Sequence, residues 1–319
     1  MIHDYWMYRP DSGSLAEWVP HTRSVLGWYS RHVRADGLLG IMPWWNFGDW
    51  TKDFVFGVPP QDADGGSALL SLYYMAALRD AADLEAALGN APLAGDYRGR
   101  AEAIGKSVLA LCWDDAHGLL ADTPARAHYS EQTNALGVLM DVVPKDRQQG
   151  VMRAVLAHTP AAPVPAGGEF SPASVYFRFY VARALDHAGL ADLYLDSLGP
   201  WRSMLDIGLT TFAETAEPTR SDDHAWSAHP DYDLLTLVAG IRPGSPAFRT
   251  VLVAPHPGGL TSLDARMPHP SGDIVAHYNK SAGGWVFDIA LPEGLTGTLQ
   301  FEGRSADLAA GPNHLDFRR

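Results

Sequence analysis

Residues 240–246 read GIRPGSP, and the chain changes character on either side of them. Two glycines, two prolines and a serine in seven positions can continue neither a helix nor a strand, so the segment marks a boundary. Downstream, residues 248–254 (FRTVLVA), 273–278 (DIVAHY), 285–291 (WVFDIAL) and 296–301 (TGTLQF) alternate or run apolar between Gly, Pro, Asn and Ser breakers. Short strands repeated at intervals of roughly 8–12 residues predict a small antiparallel β-sandwich. Upstream, the periodicity is helical. In residues 67–88, SALLSLYYMAALRDAADLEAAL, Leu69, Leu72, Tyr73 and Ala76 recur on one face and Gly89-Asn90 supplies a stop. Tyr97, Ala101, Ile104, Val108 and Leu111 form the stripe of the next helix. A helix beyond Pro20 carries Val25, Leu26, Tyr29 and Val33, preceded by a capping-box pattern at Ser14 and Glu17. Further helices fit residues 130–140, 146–158, 172–188, 190–204 and 231–238. Several carry apolar residues too densely for a solvent-facing helix, the pattern of helices packed on both sides. The expectation is a mainly α body over residues 1–243, followed by a β C-terminal domain over 244–319.

Composition narrows the function. The chain is 46% apolar and 19% charged, a globular profile. A formal charge of −13 leaves no basic stripe, so neither DNA nor RNA is an expected partner. No apolar run approaches the roughly 20 residues that span a bilayer, so no membrane partner is expected. The first residues show no basic region followed by an apolar core, which makes a cytoplasmic location the default. The single cysteine, Cys112, lies between Leu111 and Trp113 and reads as a buried thiol; one cysteine supports neither a disulfide nor a multi-cysteine metal site. Ten tryptophans are more telling. Trp44, Trp45 and Trp50 fall in a non-periodic, Gly- and Pro-bearing stretch, PWWNFGDW at residues 43–50. Flat rings with a polar handle suit ligands that combine apolar and hydroxyl-bearing faces, as sugars do.

A second irregular stretch, TTFAETAEPTRSDDHAWSAHP at residues 210–230, gathers two glutamates, an arginine, two aspartates, two histidines and Trp226. Loops of ionisable and aromatic side chains on a rigid scaffold are where binding and catalysis concentrate. Glu214 is the candidate base, with Glu217 as its nearest rival; the bland reading of either is an exposed loop carboxylate. His224 and His229, near Asp222 and Asp223, would suit a metal. Their i, i+5 spacing, however, is not that of the helical HExxH motif, and a hydrogen bond from His224 to a sugar hydroxyl fits better. Arg220 is expected to hold the loop through a carboxylate. Asp49 either accepts from a sugar hydroxyl or caps a helix, and Glu131 reads mainly as a first-turn acid behind an N-cap at Ser130. No metal and no cofactor is called for.

Taken in order, HDYWMYRPD (3–11), PWWNFGDW (43–50), YSEQTNALGVL (129–139), GLTTFAET (208–215), SDDHAWSAHPDYDLL (221–235), GIRP and VLVAPHPGGL (251–260) resemble the bacterial α-L-rhamnosidases of the six-hairpin glycosidase type. The resemblance implies an (α/α)6 toroid followed by a β-sandwich, and hydrolysis of terminal α-L-rhamnosides with inversion. Inversion needs two carboxyl groups about 6.5–9.5 Å apart, one protonating the leaving oxygen and one activating water. The family's base is similar in placement to Glu214, its ring-contacting tryptophan to Trp50, and its sugar-contacting histidine to His224. Trp45, Trp226, Asp49 and Glu131 complete the expected substrate contacts. The family's general acid precedes the HDYWMY motif, at which this sequence begins, and about eight helices are fewer than the toroid's twelve. The expectation is therefore the C-terminal part of a longer enzyme, without its acid and with uncovered helix faces that favour self-association. Two other readings stay open: a fragment that binds sugar without catalysis, and another six-hairpin exo-glycosidase or uronyl hydrolase.

Overall fold

The computed structural model describes residues 1–158, 170–215 and 219–318. Its contacts group the chain into two compact units, one of Gly13–Leu190 with Gly199–Ser227 and one of Met1–Ser12, Ala191–Leu198 and Ala228–Arg319. The linear division at residues 1–243 and 244–319 is thus crossed three times, because the first helix, residues 191–198 and residues 228–239 count with the strands.

The helical unit is built from αα-hairpins. The helices are α2 (Ser12–Ser30), α3 (Ala68–Ala87), α4 (Ala91–Cys112), α5 (Glu131–Leu139), α6 (Lys145–Ala157), α7 (Arg178–His187) and α8 (Gly199–Asp206); α1 (Ile2–Tyr8) and α9 (His229–Asp233) belong to the other unit. α3 packs on α4 and α5, and α5 packs on α6 and α7. The dense apolar sequence of α3 is explained by this double contact: Leu69, Leu70, Leu72, Tyr74, Met75 and Leu78 are all buried. In α4, Tyr97, Ala101, Ile104 and Val108 of the predicted stripe are buried, while Leu111 is only half-buried and Cys112 takes the inward place at its end. Burial pushes the Cys112 thiol up to about 12, so it is inert at neutral pH. α2 starts earlier than its sequence suggests and runs through Pro20, burying Leu15, Val19 and Leu26 and leaving Val25 exposed. Arg23 joins α2 to α3 with two bonds to the buried Glu85, at 2.7 and 2.8 Å. The similar turns after α2 and α4 share a local form: Gly37 and Gly118 have positive φ, and Val33 then bridges Leu39 as Trp113 pairs Leu120.

Three expected helices come out shorter or broken. Residues 172–177 do not join α7, and side chains from other elements accept from the amides of Ala173 and Ser174. The segment expected at 190–204 divides into a 3-10 turn, Ala191–Ser197, and α8, with Gly199-Pro200 at the break. α9 begins at His229, with Pro230 in its first turn, and passes into a π-type turn closed by Ala239 N–H on Leu234 O.

The β unit is a sandwich of two four-stranded sheets. Its strands are β1 (Ile241–Pro243), β2 (Thr250–Val253), β3 (Ser262–His269), β4 (Gly272–Ser281), β5 (Gly284–Leu291), β6 (Thr296–Phe301), β7 (Arg304–Leu308) and β8 (Gly311–Arg318). One sheet has the order β8-β5-β4-β3 and is antiparallel throughout; the other has the order β7-β6-β2-β1 and is antiparallel except for the parallel pair β6–β2. Alternation makes the core: Ile274, Ala276 and Tyr278 from β4 and Trp285, Phe287, Ile289 and Leu291 from β5 point inward, meeting Val251, Val253 and Leu299 from the other sheet. Each large apolar side chain so buried contributes about 1.5–3 kcal/mol. At the boundary, Gly240 has φ +72, and a Cβ there would lie 2.1 Å from the Ala254 carbonyl carbon, so only glycine fits. α1, the HDYWMY motif, lies in this unit, with Tyr8 against Phe248 at a ring distance of 5.6 Å. Among the described residues no helix is long and apolar enough to cross a membrane.

Candidate active site

The aromatic stretch at residues 43–50 is a loop braced on all sides. Gly48 and Asp49 amides donate to Gly57 O at 2.7 and 3.3 Å, Trp45 Nε1 donates to Phe56 O at 2.8 Å, and Tyr73 of α3 donates to Gly48 O at 3.3 Å. Trp44 has φ +69, a conformation that bulky residues rarely adopt, and the Asn46 amide caps this turn with bonds to Met42 O and Trp44 O. Phe47 is the hub of the resulting wall. Its ring lies 5.2 Å from Trp45, 5.4 Å from Trp50, 6.1 Å from Tyr176 and 6.4 Å from Trp226, the last stacked within 3°. Trp45 and Trp50 keep 61% and 39% of their surface in solvent, so their faces are open to a ligand. Beside them is a cavity of about 400 Å³ lined by Met42, Trp45, Phe47, Leu70, Tyr73 and Tyr176 among others; Glu214 and His224 are not on its wall. Its size is that of a small-molecule pocket.

Trp226 carries this wall to the second stretch. It packs on Tyr176 at 5.1 Å and on His224 at 4.4 Å. Its indole N–H is covered and has no acceptor among the described residues, the kind of unsatisfied donor that a functional site retains. The segment folds back on itself: Glu214 N–H donates to Ser221 O at 2.9 Å and His224 N–H to Phe212 O at 2.7 Å. Glu214 is 5% exposed and is gripped by both ends of the Arg220 guanidinium, with Nε at 2.8 Å from Oε2 and the second nitrogen on Oε1. That hydrogen-bonded pair holds the Glu214 carboxyl below the usual range, with a further push from His224, so it is ionised at neutral pH. The Arg220 side chain is 72% exposed. His224 Nδ1 lies 3.1 Å from Ser221 Oγ.

Of the expected site residues, Trp45, Trp50, Trp226, His224 and Glu214 are joined in this one chain of contacts. Asp49 and Glu131 stand behind it. Asp49 is fully buried and accepts four hydrogen bonds, from Trp50 N–H (2.8 Å), Gln132 Nε2 (2.6 Å), Ser174 N–H (3.0 Å) and Ser174 Oγ. Burial raises its pKa, and these donors oppose the rise. A carboxylate so enclosed has no oxygen facing a sugar. Glu131 is likewise buried, bonded to Ala173 N–H at 2.8 Å and to His158. His229 is turned to Asp233 at 2.7 Å, and that carboxylate also accepts from Tyr194. Glu217 lies outside the described residues. Sequence reasoning missed Tyr176, Gln132 and Ser174. The run SEQTN was the available signal, since five polar residues opening an otherwise apolar helix have no amphipathic explanation; from Ser130 to Asn134 all are buried.

An aromatic wall beside a paired carboxylate, carried on packed αα-hairpins with a β-sandwich in the same chain, defines a six-hairpin glycosidase scaffold. The family model for the bacterial α-L-rhamnosidase six-hairpin glycosidase domain matches residues 1–234, and that for the bacterial α-L-rhamnosidase C-terminal domain matches residues 240–315. The chain belongs to this family. Among solved structures it is similar to the glycoside hydrolase family 78 rhamnosidase of Bacillus sp. GL1, with 28% identity, a TM-score of 0.80, and coverage of 94% of this chain and 32% of that one. The α-L-rhamnosidase of Streptomyces avermitilis, solved with L-rhamnose, shares 18% identity and a TM-score of 0.74 over 97% of this chain and 31% of its own. That of Aspergillus terreus shares 16% identity and a TM-score of 0.72 over 100% of this chain and 38% of its own; the last two likenesses speak for the fold alone. The chain spans about a third of the length of these proteins. No curated protein matches the sequence.

Proposed function

We propose that this chain forms the base side and the sugar-ring wall of a site that hydrolyses terminal α-L-rhamnosides with inversion. The observation that carries the reading is Glu214: a covered carboxylate kept ionised by Arg220, beside His224, on the segment whose Trp226 stacks on the aromatic loop. Glu214 takes a proton from water, and the water oxygen attacks the anomeric carbon on the face opposite the leaving oxygen. The leaving oxygen needs a proton from a second carboxyl group. Asp49 and Glu131 are too enclosed to give it. Trp50 and Trp45 offer ring faces to the C–H face of rhamnose, and His224 offers a ring nitrogen to a hydroxyl. The family favours rhamnose over other six-hairpin substrates.

The test is chromophore release from an aryl α-L-rhamnoside, with L-rhamnose binding followed by tryptophan fluorescence. Glu214→Gln should abolish turnover while sparing fold and sugar binding; a Gln variant with most of its activity would show the base to be elsewhere. A second reading, a chain that binds sugar and packs against a partner, is favoured by Ile41, Trp44, Val55 and Phe56, which are 63–82% exposed. Sugar binding without turnover, together with self-association in sedimentation, would select it.

A further inference from the structure

Two buried carboxylates and one amide converge on three consecutive backbone positions. Gln132 Nε2 donates to Pro172 O at 3.1 Å, Glu131 Oε2 accepts from Ala173 N–H at 2.8 Å, and Asp49 accepts from both the N–H and the hydroxyl of Ser174. Gln132 also donates to Asp49 at 2.6 Å, and Asp49 accepts the amide of Trp50. The group therefore ties the aromatic loop, the start of α5 and the Pro172–Ser174 segment into one unit. Two residues past Ser174 stands Tyr176, whose ring packs on both Phe47 and Trp226. Burying two carboxylates costs several kcal/mol unless fully paired, and an apolar segment could fill the same space more cheaply. What the carboxylates supply instead is direction, because each oxygen fixes a particular N–H.

We propose that Asp49, Glu131 and Gln132 are positioning residues that clamp Pro172–Ser174 and so hold Tyr176, packed against Phe47 and Trp226, as a further wall of the sugar subsite. This rests on the sugar-site reading of the aromatic loop given above. Asp49 and Glu131 then touch no sugar; they act through Tyr176. Asp49→Asn presents an N–H₂ to a site already filled with donors, so the segment must shift. Glu131→Gln leaves one acceptor oxygen and turns an N–H₂ towards either Ala173 N–H or the His158 ring.

The experiment compares Asp49→Asn, Glu131→Gln, Ser174→Ala and Tyr176→Ala by L-rhamnose affinity, by near-UV circular dichroism of the Tyr176–Trp226 pair, and by melting temperature. Asp49→Asn and Glu131→Gln should each weaken L-rhamnose binding about tenfold or more, since small displacements of positioning groups cost that much. They should also change the near-UV spectrum. Added to Tyr176→Ala, Asp49→Asn should cost little further affinity and leave the spectrum almost as it was. Ser71→Ala removes a buried hydroxyl bonded to Leu39 N–H and Ser67 O away from the clamp, and should lower the melting temperature alone. The clamp is refuted if Asp49→Asn and Ser174→Ala lower the melting temperature while leaving spectrum and affinity unchanged, or if their effects simply add to that of Tyr176→Ala. A wild-type chain that binds no L-rhamnose but shows the same non-additive spectral change would sink the sugar reading and leave the clamp in place.

Discussion

Asp122 offers a test of the scaffold beneath the site. It is fully buried, and its Oδ1 accepts from Ser130 Oγ and Thr133 Oγ1, both at 2.5 Å, at the start of α5 where Glu131 and Gln132 sit. Its Oδ2 has no partner among the described residues. Burial pushes its pKa up to about 6, the Asp53 charge adds to the rise, and the two hydroxyls and His128 oppose it. Because the folded-state value lies above the unfolded one, the folded chain binds this proton more tightly. The group therefore destabilises the fold when ionised, above about pH 6, and that cost is relieved as pH falls towards 4. Going from the ordinary 3.8 to about 6, at roughly 1.4 kcal/mol per pH unit, gives about 3 kcal/mol as the full swing. Carboxyls held low, such as Glu85 and Glu214, act with the opposite sign at lower pH, so a pH scan of the wild type alone would mix the two. The difference between wild type and Asp122→Asn removes them. Urea unfolding of both, between about pH 4.5 and 7, should show the Asn variant gaining on the wild type by about 1–3 kcal/mol as pH rises. A difference that stays flat, or shrinks with rising pH, would mean that the Asp122 carboxyl is not enclosed as described.

Two further outcomes follow from particular contacts. Arg220→Met removes the partner that keeps Glu214 ionised, so the acidic limb of the rhamnoside pH–rate profile should move to higher pH with little change in fold; an unmoved limb would separate Glu214 from the rate-determining ionisation. Gly240→Ala forces a side chain into the left-handed region and against the Ala254 backbone, and should lose about 2 kcal/mol or more of stability; an unchanged urea midpoint would contradict the close approach there.

The sequence and structure agree where one element's own residues decide its state. The α3 and α4 stripes repeat at the helical period, and all four strands expected from the sequence are the inner strands of the two sheets. The four it did not reveal, β1, β3, β7 and β8, are all edges. An edge strand tolerates Pro243, Pro268 and Pro312 and exposed charges that an inner strand does not, and this blurs its pattern. In the site, the aromatic residues and Glu214 were legible because irregular stretches rich in rings and charges have few structural uses. The burial of Asp49 and Glu131 was not. Charge argues for exposure, and apart from the Trp50 amide their partners lie 27–125 residues away in sequence.

The parallel pair β2–β6 also fixes an order of events. β3, β4 and β5 are joined by short turns and can pair as soon as they emerge, since closing a short loop costs little entropy. β2, which pairs Thr250 with Thr296 and Val253 with Leu299, must wait until that whole meander has been laid down. During synthesis, β1 and β2 therefore present an unpaired backbone edge for longer than any other strands of the sandwich. Sandwich assembly should be slow at this step, and the exposed edge is where misassembly between nascent chains would begin.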